Sequence, residues 1–367
     1  MAATLAQQGR PIINMGIGEP DFTAPPAVIA AATRAMADGR MQYSPATGLP
    51  ELREAIAQHY QDVFGLNIAP SRIIITAGAS AALVLTCAAL VDPGAEVLMP
   101  DPSYPCNRHF VAAFNGTAKL IASGPEDQFQ LSDHMVRENW GPATRGVLLA
   151  TPSNPTGTSI APAELAKIIH TVREKGGFTI VDEIYQGLSY DSAPMSALSI
   201  ADDIVVINSF SKYFNMTGWR LGWMVVPENL LPSIEKLTQN LFICASTIAQ
   251  YAALACFEPA SLALYEARRC EFKRRRDYIV PAMRELGFKI PVTPDGAFYV
   301  YADCTALSND ADRLTLDLLH SANVVLVPGM DFGPSTAHTY IRLSYACSLE
   351  NLQEAVGRMR QFFTQQA

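Results

Sequence analysis

Ser209-Phe210-Ser211-Lys212, followed closely by Gly218-Trp219-Arg220-Leu221-Gly222, is the stretch that decides how the chain is read. Before it, Asp203-Ile204-Val205-Val206-Ile207-Asn208 is a short, β-branched apolar run, the pattern of a strand buried on both faces. Lys212 therefore falls just past the end of a buried strand, where the working groups of open α/β sheets gather. A lysine held there is partly desolvated, which favours the neutral amine that a Schiff base requires. Arg220 falls inside a second apolar run, Trp219 to Val226, where a guanidinium is costly unless an anion meets it. A covalent amine and an anion clamp this close together suggest a phosphorylated carbonyl cofactor. A surface lysine and a salt-bridged arginine would fit the same stretch, so the rest of the chain has to decide.

At 367 residues, 49% of them hydrophobic, the chain can bury a large core and has the length of two domains. Acidic residues outnumber basic ones, 35 to 27. The one basic cluster, Lys273 to Arg276, lies in a helical stretch and reads as a solvated face rather than a nucleic-acid patch. Seven scattered cysteines without CxxC spacing argue against a disulfide framework or a zinc site and for a reducing compartment. The histidines form no metal motif either, and no metal is expected. Met1 to Arg10 lacks the basic-then-apolar pattern of a secretory leader, and the apolar helix Ser80 to Val91 is too short to span a bilayer. A cytoplasmic protein with no membrane or nucleic-acid partner is expected.

Along the chain, Gly16-Ile17-Gly18 is followed by Glu-Pro and no third glycine, so it fails as a dinucleotide fingerprint. Helices are expected near 26–38 and 50–64, with the turn-rich loop Tyr43 to Pro50 between them. From Arg72 strands, loops and helices alternate. Arg72 to Thr76 is a strand, and Gly78-Ala79-Ser80 opens a helix over 81–91, leaving backbone N–H groups free to cradle a phosphate. A tight strand–helix connection is the plainer alternative. The strand Glu96 to Met99 leads to Tyr104, a residue placed to stack on a flat ring or to anchor a loop. The strand Gly146 to Ala150 leads to Thr151-Pro152-Ser153-Asn154-Pro155-Thr156-Gly157, and a helix follows over 162–174. The strand Phe178 to Val181 then runs into Asp182-Glu183-Ile184-Tyr185. A carboxylate continuing a buried strand needs a partner, either a pyridinium nitrogen or a buried hydrogen-bond network.

Helices are expected over 227–240 and 246–284, the second long or broken near Glu258-Pro259. Beyond Leu286-Gly287 strands at Gly296 to Tyr301, Val324 to Gly329 and Tyr340 to Ser344 suggest a second, α+β domain. Arg342 shares a strand face with Tyr340 and Ser344, and is either salt-bridged or waiting for a substrate carboxylate. The expected division is an N-terminal segment, 1–40, packing with the small domain, a large domain over 41–284 and a small domain over 285–367.

In this order the motifs resemble those of the fold-type I pyridoxal-phosphate enzymes, and among them the class I/II aminotransferases, from Gly16 to about Ala346. Ser-x-Ser-Lys before Gly-Trp-Arg-x-Gly carries most of the resemblance, with Ser-Asn-Pro-Thr-Gly and Asp-Glu-x-Tyr. The resemblance implies an α/β fold, a mostly parallel seven-stranded sheet between helices, and pyridoxal 5'-phosphate as cofactor. Lys212 would be the Schiff-base lysine and proton shuttle, Asp182 the partner of the ring nitrogen, and Tyr185 and Asn154 the partners of the ring's phenolic oxygen. Tyr104 would stack on the ring. The turn at Gly78, Ala79 and Ser80, with Ser209 and Arg220, would hold the phosphate. Tyr43 would reach the phosphate of a neighbouring subunit, which implies a homodimer with shared active sites. Arg342, with Asn154 and the Gly18 backbone, would fix the substrate α-carboxylate, and Ile17 would border the side-chain pocket.

The activity so implied is ping-pong transfer of an amino group between an L-amino acid and a 2-oxo acid. The bacterial aspartate aminotransferases it most resembles carry a lysine at Ser80's place, which the resemblance ties to the distal carboxylate of aspartate. With Ser80 and Ile17 bordering the pocket, a neutral amino donor is expected instead. A C–S β-lyase on the same fold is the nearest alternative. An effector domain of a transcription regulator is disfavoured because the first motif starts too near the N-terminus, and a nicotinamide dehydrogenase because the glycine fingerprint is missing.

Overall fold

The computed structural model describes residues 1–366. Twelve strands organise it: β1 (Ile13–Asn14), β2 (Ile73–Thr76), β3 (Glu96–Asp101), β4 (Thr117–Ala122), β5 (Thr144–Ala150), β6 (Phe178–Asp182), β7 (Val205–Ser209), β8 (Gly222–Val225), β9 (Tyr299–Asp303), β10 (Val324–Val325), β11 (Val327–Pro328) and β12 (Tyr340–Ser344). Seven of them build the large sheet in the order β2-β8-β7-β6-β5-β3-β4. Only β8 runs against the others, so its beginning lies at the edge where the remaining strands end. The protein is thus an α/β structure with a mostly parallel sheet, as the strand–helix alternation predicts.

Side chains alternate across this sheet with the period of two. Val147, Leu149, Val181, Val206, Trp223 and Val225 pack to one side with the helix Pro50–Phe64. Leu148, Ile180, Val205, Ile207 and Met224 pack to the other with the helix Gly78–Leu90. Apolar residues on both faces explain why these strands read as continuous hydrophobic runs. Glycine is required where β8 passes the start of the helix Gly78–Leu90: a Cβ at Gly222 would lie 2.8 Å from the carbonyl carbon of Gly78.

The second layer of structure holds the three-stranded sheet β11-β12-β9 and the parallel pair β1-β10. The run expected as one strand over 324–329 is therefore two strands in different sheets. The strand expected from Gly296 starts at Tyr299, because Ala297 sits at φ 57°, which an extended strand cannot accommodate. The helix expected from Ala81 begins at Gly78. The stretch expected to be helical over 246–284, long or broken near Glu258-Pro259, is broken there: Thr247–Leu254, a short turn at 255–257, then Pro259–Glu285, with Pro259 at its first position.

Hydrophobic packing crosses positions 40 and 285. Ile13 and Met15 join the core of the smaller sheet, but Ala24, Val28 and Ala32 join that of the large one. The helix Pro259–Glu285 contributes Tyr265 to the large core and Phe272, Ile279 and Met283 to the small one. One helix thus runs through both packing units, passing from one core to the other across Glu266-Ala267-Arg268-Arg269-Cys270-Glu271. All seven cysteines are unpaired. No helix among the described residues is long and apolar enough to cross a membrane.

Candidate active site

The carboxyl ends of β2, β3, β5, β6 and β7 face one cavity of about 520 Å³, closed on the far side by the Ile17–Glu19 loop and by β9 and β12. Its position outside the strand ends is where open α/β sheets bind ligands. Ala79 and Ser80 reach it from the first turn of a thirteen-residue helix, Tyr104 from the turn after β3, and Asn154 from the turn after β5. Asp182 and Tyr185 enter after β6, Ser209 and Lys212 after β7, and Arg220 just before β8.

Lys212 is half-buried and its Nζ donates to the carbonyl of Gly18, tying the large sheet to the N-terminal loop. Burial, helped by the positive charges of Arg220 and Arg342, pushes the ammonium down to about 8 against the opposing pull of Glu19 and Asp182. The amine is therefore available to a carbonyl near neutral pH. Asp182 is buried, and burial pushes its carboxyl up to about 6, although the Ile184 N–H donates to Oδ1 at 3.0 Å and Lys212 pulls the other way. A cation in the cavity would restore its charged form. The Tyr185 and Tyr299 hydroxyls are 2.8 Å apart, both buried.

Arg220 corrects the sequence expectation: it is exposed to the cavity rather than enclosed by the apolar run. A short 3-10 turn, Thr217–Trp219, interrupts the run and leaves Arg220 at φ 52°, turned out before β8 begins. Its guanidinium donates to the carbonyl of Thr217 at 2.9 Å and approaches Ser211 Oγ at 3.5 Å, leaving donors free. Gly78 (φ 79°) is the residue that lets it in, since a Cβ there would stand 2.6 Å from the guanidinium. Ser209 Oγ bonds Ser211 Oγ at 2.9 Å and the Leu221 carbonyl at 3.1 Å, which pins this turn.

Arg342 is buried at the opposite end. It donates to Asn154 Oδ1 at 2.8 Å and to the Gly16 carbonyl, and its Nε has no partner among the described residues. Its backbone partner is Gly16, while the neighbouring Gly18 carbonyl accepts from Lys212. Ile17, 54% exposed, borders the cavity beside Glu19. Tyr43 does not reach the cavity: it is 81% exposed on the loop before the helix Pro50–Phe64. Sequence reading missed Tyr299, Ser211 and Glu19, which also line the cavity. Ser211 lies inside the quoted Ser-Phe-Ser-Lys motif, but Tyr299 carries no local signal beyond its place in an aromatic strand.

The donor set suits a small phosphorylated aromatic carbonyl compound. A helix start and an uncommitted guanidinium face one end, a buried carboxylate the middle, and a lowered lysine lies between them. The family model for aminotransferase class I and II matches residues 10–359. The chain belongs to this family. It is an aminotransferase, and pyridoxal phosphate is the family's cofactor. It is 37% identical to a valine–pyruvate aminotransferase of Mycobacterium tuberculosis, over 95% of this chain and 90% of the relative. A crystal structure of an aminotransferase from Mycobacterium tuberculosis is 36% identical, with a TM-score of 0.96 over 99% of this chain and 94% of that one. Aspartate aminotransferase from Thermus thermophilus with maleate is 34% identical, with a TM-score of 0.93 over 98% and 94%. The fold-type I architecture expected from the motifs is that of these neighbours.

Proposed function

We propose that this aminotransferase works by ping-pong exchange between an L-amino acid with a neutral side chain and a 2-oxo acid. The cation inventory of the cavity supports the choice of donor. Lys212, Arg220 and Arg342 line it, and no other lysine, arginine or histidine among the described residues does. Arg108, on the helix after Tyr104, does not line the cavity and donates to the carbonyl of Asp331 at 3.0 Å. With Arg220 given to a phosphate and Arg342 to the α-carboxylate, a second carboxylate would find Ile17, Ser80 and the negative Glu19. An unpaired carboxylate desolvated there costs several kcal/mol, whereas an aliphatic or aromatic side chain gains about 1.5–3 kcal/mol from burial. The relative named for valine and pyruvate agrees with such a donor; the one named for aspartate does not.

In this reading Ala79, Ser80, Ser209 and Arg220 would hold the cofactor's phosphate, Asp182 its ring nitrogen, and Tyr104, Asn154 and Tyr185 its ring. When bound, it supplies a carbonyl that condenses with amines and a protonated ring that takes up electrons from the substrate α-carbon. Lys212 is the covalent anchor and, once displaced by substrate, the base that removes the α-proton and returns it at the neighbouring carbon. Arg342 orients the α-carboxylate so that this proton faces Lys212. Asp182 keeps the ring nitrogen protonated. The reading includes a homodimer in which Tyr43 completes the phosphate site of the partner. Its exposure on an ordered loop, away from its own cavity, supports that placement.

The test is a half-reaction screen, following the visible absorbance of the loaded enzyme with each amino acid in turn. Alanine, valine, methionine or an aromatic amino acid is expected to give the highest rate constant over concentration. Aspartate in first place would overturn the neutral-donor reading. Release of pyruvate and ammonia from cysteine conjugates, without transfer to a 2-oxo acid, would favour the lyase.

A further inference from the structure

Tyr299 lines the cavity, and neither the motifs nor the roles above use it. It is 1% exposed and lies on β9, opposite Ser344 of β12. Three neighbours meet it. Its ring carries the Arg342 guanidinium at 4.5 Å, its hydroxyl lies 2.8 Å from that of Tyr185, and the two tyrosine rings meet edge to face. The third is Gly18: a Cβ there would stand 2.2 Å from the Tyr299 hydroxyl, so the loop fits only because that residue has no side chain.

Two phenols at this distance share one hydrogen bond, and only one of them keeps a proton for another partner. Arg342 lies against the Tyr299 ring, and its charge is the first counterweight to the burial that raises that phenol. At Tyr185, which burial also raises, the same charge pulls down as well, but Asp182 adds to the rise, which makes Tyr299 the stronger donor of the two. Tyr299 then donates to Tyr185, and the Tyr185 proton is free to point into the cavity. A carboxylate bound on Arg342 cancels that charge and weakens the whole line. The other charged groups around the cavity, Asp182, Glu19, Lys212 and Arg220, touch neither hydroxyl.

We propose that Tyr299 is a positioning residue that transmits occupation of Arg342 to Tyr185, and thereby to the proton on the Lys212 nitrogen of the loaded enzyme. The inference rests on the reading of Lys212 as the cofactor-bearing residue and goes beyond it in giving the carboxylate subsite a second line of communication. The first runs from Arg342 to Asn154 Oδ1 at 2.8 Å. The consequence is directional. With the carboxylate subsite empty, Tyr185 donates strongly toward the ring oxygen and the Lys212 nitrogen loses its proton readily. With the subsite filled, that donation weakens and the nitrogen holds its proton to higher pH.

The experiment is a pH titration of the visible absorbance of the holoenzyme, with and without saturating 3-phenylpropionate, a carboxylate that has no amino group to react. The wild-type midpoint is expected to rise when the carboxylate is added. In Tyr299→Phe the midpoint without carboxylate is expected to be higher by roughly one unit. The further rise on adding carboxylate should fall below half that of wild type, with its dissociation constant nearly unchanged. Gly18→Ala, which displaces the Tyr299 hydroxyl without removing it, should raise the midpoint in the same direction. Tyr301→Phe, whose hydroxyl bonds Thr336 instead, should titrate as wild type. A Tyr299→Phe enzyme that titrates as wild type, or equal shifts in Tyr299→Phe and Tyr301→Phe, would overturn the proposal while leaving Lys212 in its role. Wild-type enzyme without visible absorbance tied to Lys212 would overturn the underlying reading instead.

Discussion

Arg220 and Arg342 stand at opposite ends of one cavity and are held in opposite ways. Arg220 is exposed, on a left-handed backbone position, with one firm bond to the Thr217 carbonyl and donors to spare. Arg342 is buried, bonded to Asn154 and to the Gly16 carbonyl, and lies between the rings of Tyr299 at 4.5 Å and Phe332 at 4.8 Å. An exposed, loosely held cation suits a highly charged group, whose own attraction can complete the site. A buried cation already oriented by neutral acceptors suits a single carboxylate and selects by geometry, because its planar fork accepts only one approach. The cavity is thus tolerant at one end and exacting at the other, with Lys212 between.

The largest expected effect removes the group between the ends. Lys212→Ala should lower transamination by roughly 10³-fold or more, since covalent anchor and base are lost together. Both ends should still bind: cofactor retained without a covalent bond, and 3-phenylpropionate bound with nearly unchanged affinity. Equilibrium dialysis of each ligand against the variant checks this. Loss of both ligands would mean that the lysine holds the cavity together, and the two ends could not be treated as separate.

Exchanging the arginines one at a time separates the ends. Arg342→Gln is expected to raise KM for the amino acid by roughly 10²-fold while the cofactor stays bound, because a charge-assisted pair is lost on the substrate alone. Arg220→Gln is expected to weaken cofactor affinity by roughly tenfold and leave KM of the reloaded enzyme near wild type. Titration of the apoenzyme with cofactor, beside steady-state kinetics, gives both numbers. Equal damage to KM and cofactor affinity in either variant would break the distinction.

The two ends also differ in how much of them the sequence announces. The phosphate end, with Asp182, is built from strand ends, each followed within a few residues by its working side chain, so short motifs carry it. The exacting end joins residues 16–19, 299 and 342, which come together only through folding. Arg342 is visible there as a cation in an apolar strand, but Tyr299 looks like its strand neighbours until its hydroxyl is seen against Tyr185. Arg220 shows the limit of hydropathy even at the legible end. The apolar run from Trp219 to Val226 reads as a strand enclosing the arginine, and the turn at Thr217–Trp219 that frees it leaves no mark on the pattern. The large sheet is legible for the same reason as its motifs: strands buried on both faces are apolar throughout. The edge strand β4, only partly buried, does not stand out.

The smallest effect comes from Glu183, which belongs to neither end and tests whether the sheet behind Asp182 is independent of both. Glu183 is fully buried; its Oε1 accepts from the Ala197 N–H at 2.6 Å and from the Ser196 hydroxyl, and its Oε2 has no partner among the described residues. Burial pushes this carboxyl up from its ordinary value of 4.5 to about 8, with Asp182 adding to the rise. A folded-state value above the unfolded one means that the neutral acid favours folding. That contribution is complete below about 4.5 and is lost as pH rises through about 8. Glu183→Gln keeps an acceptor for Ala197 and cannot ionise, so its melting temperature relative to wild type should climb between pH 5 and pH 8 and then level off. Cofactor affinity and KM should not change. A melting difference that stays flat over that range would show that Glu183 is charged in the fold. A change in KM would show that the sheet behind Asp182 reaches the exacting end after all.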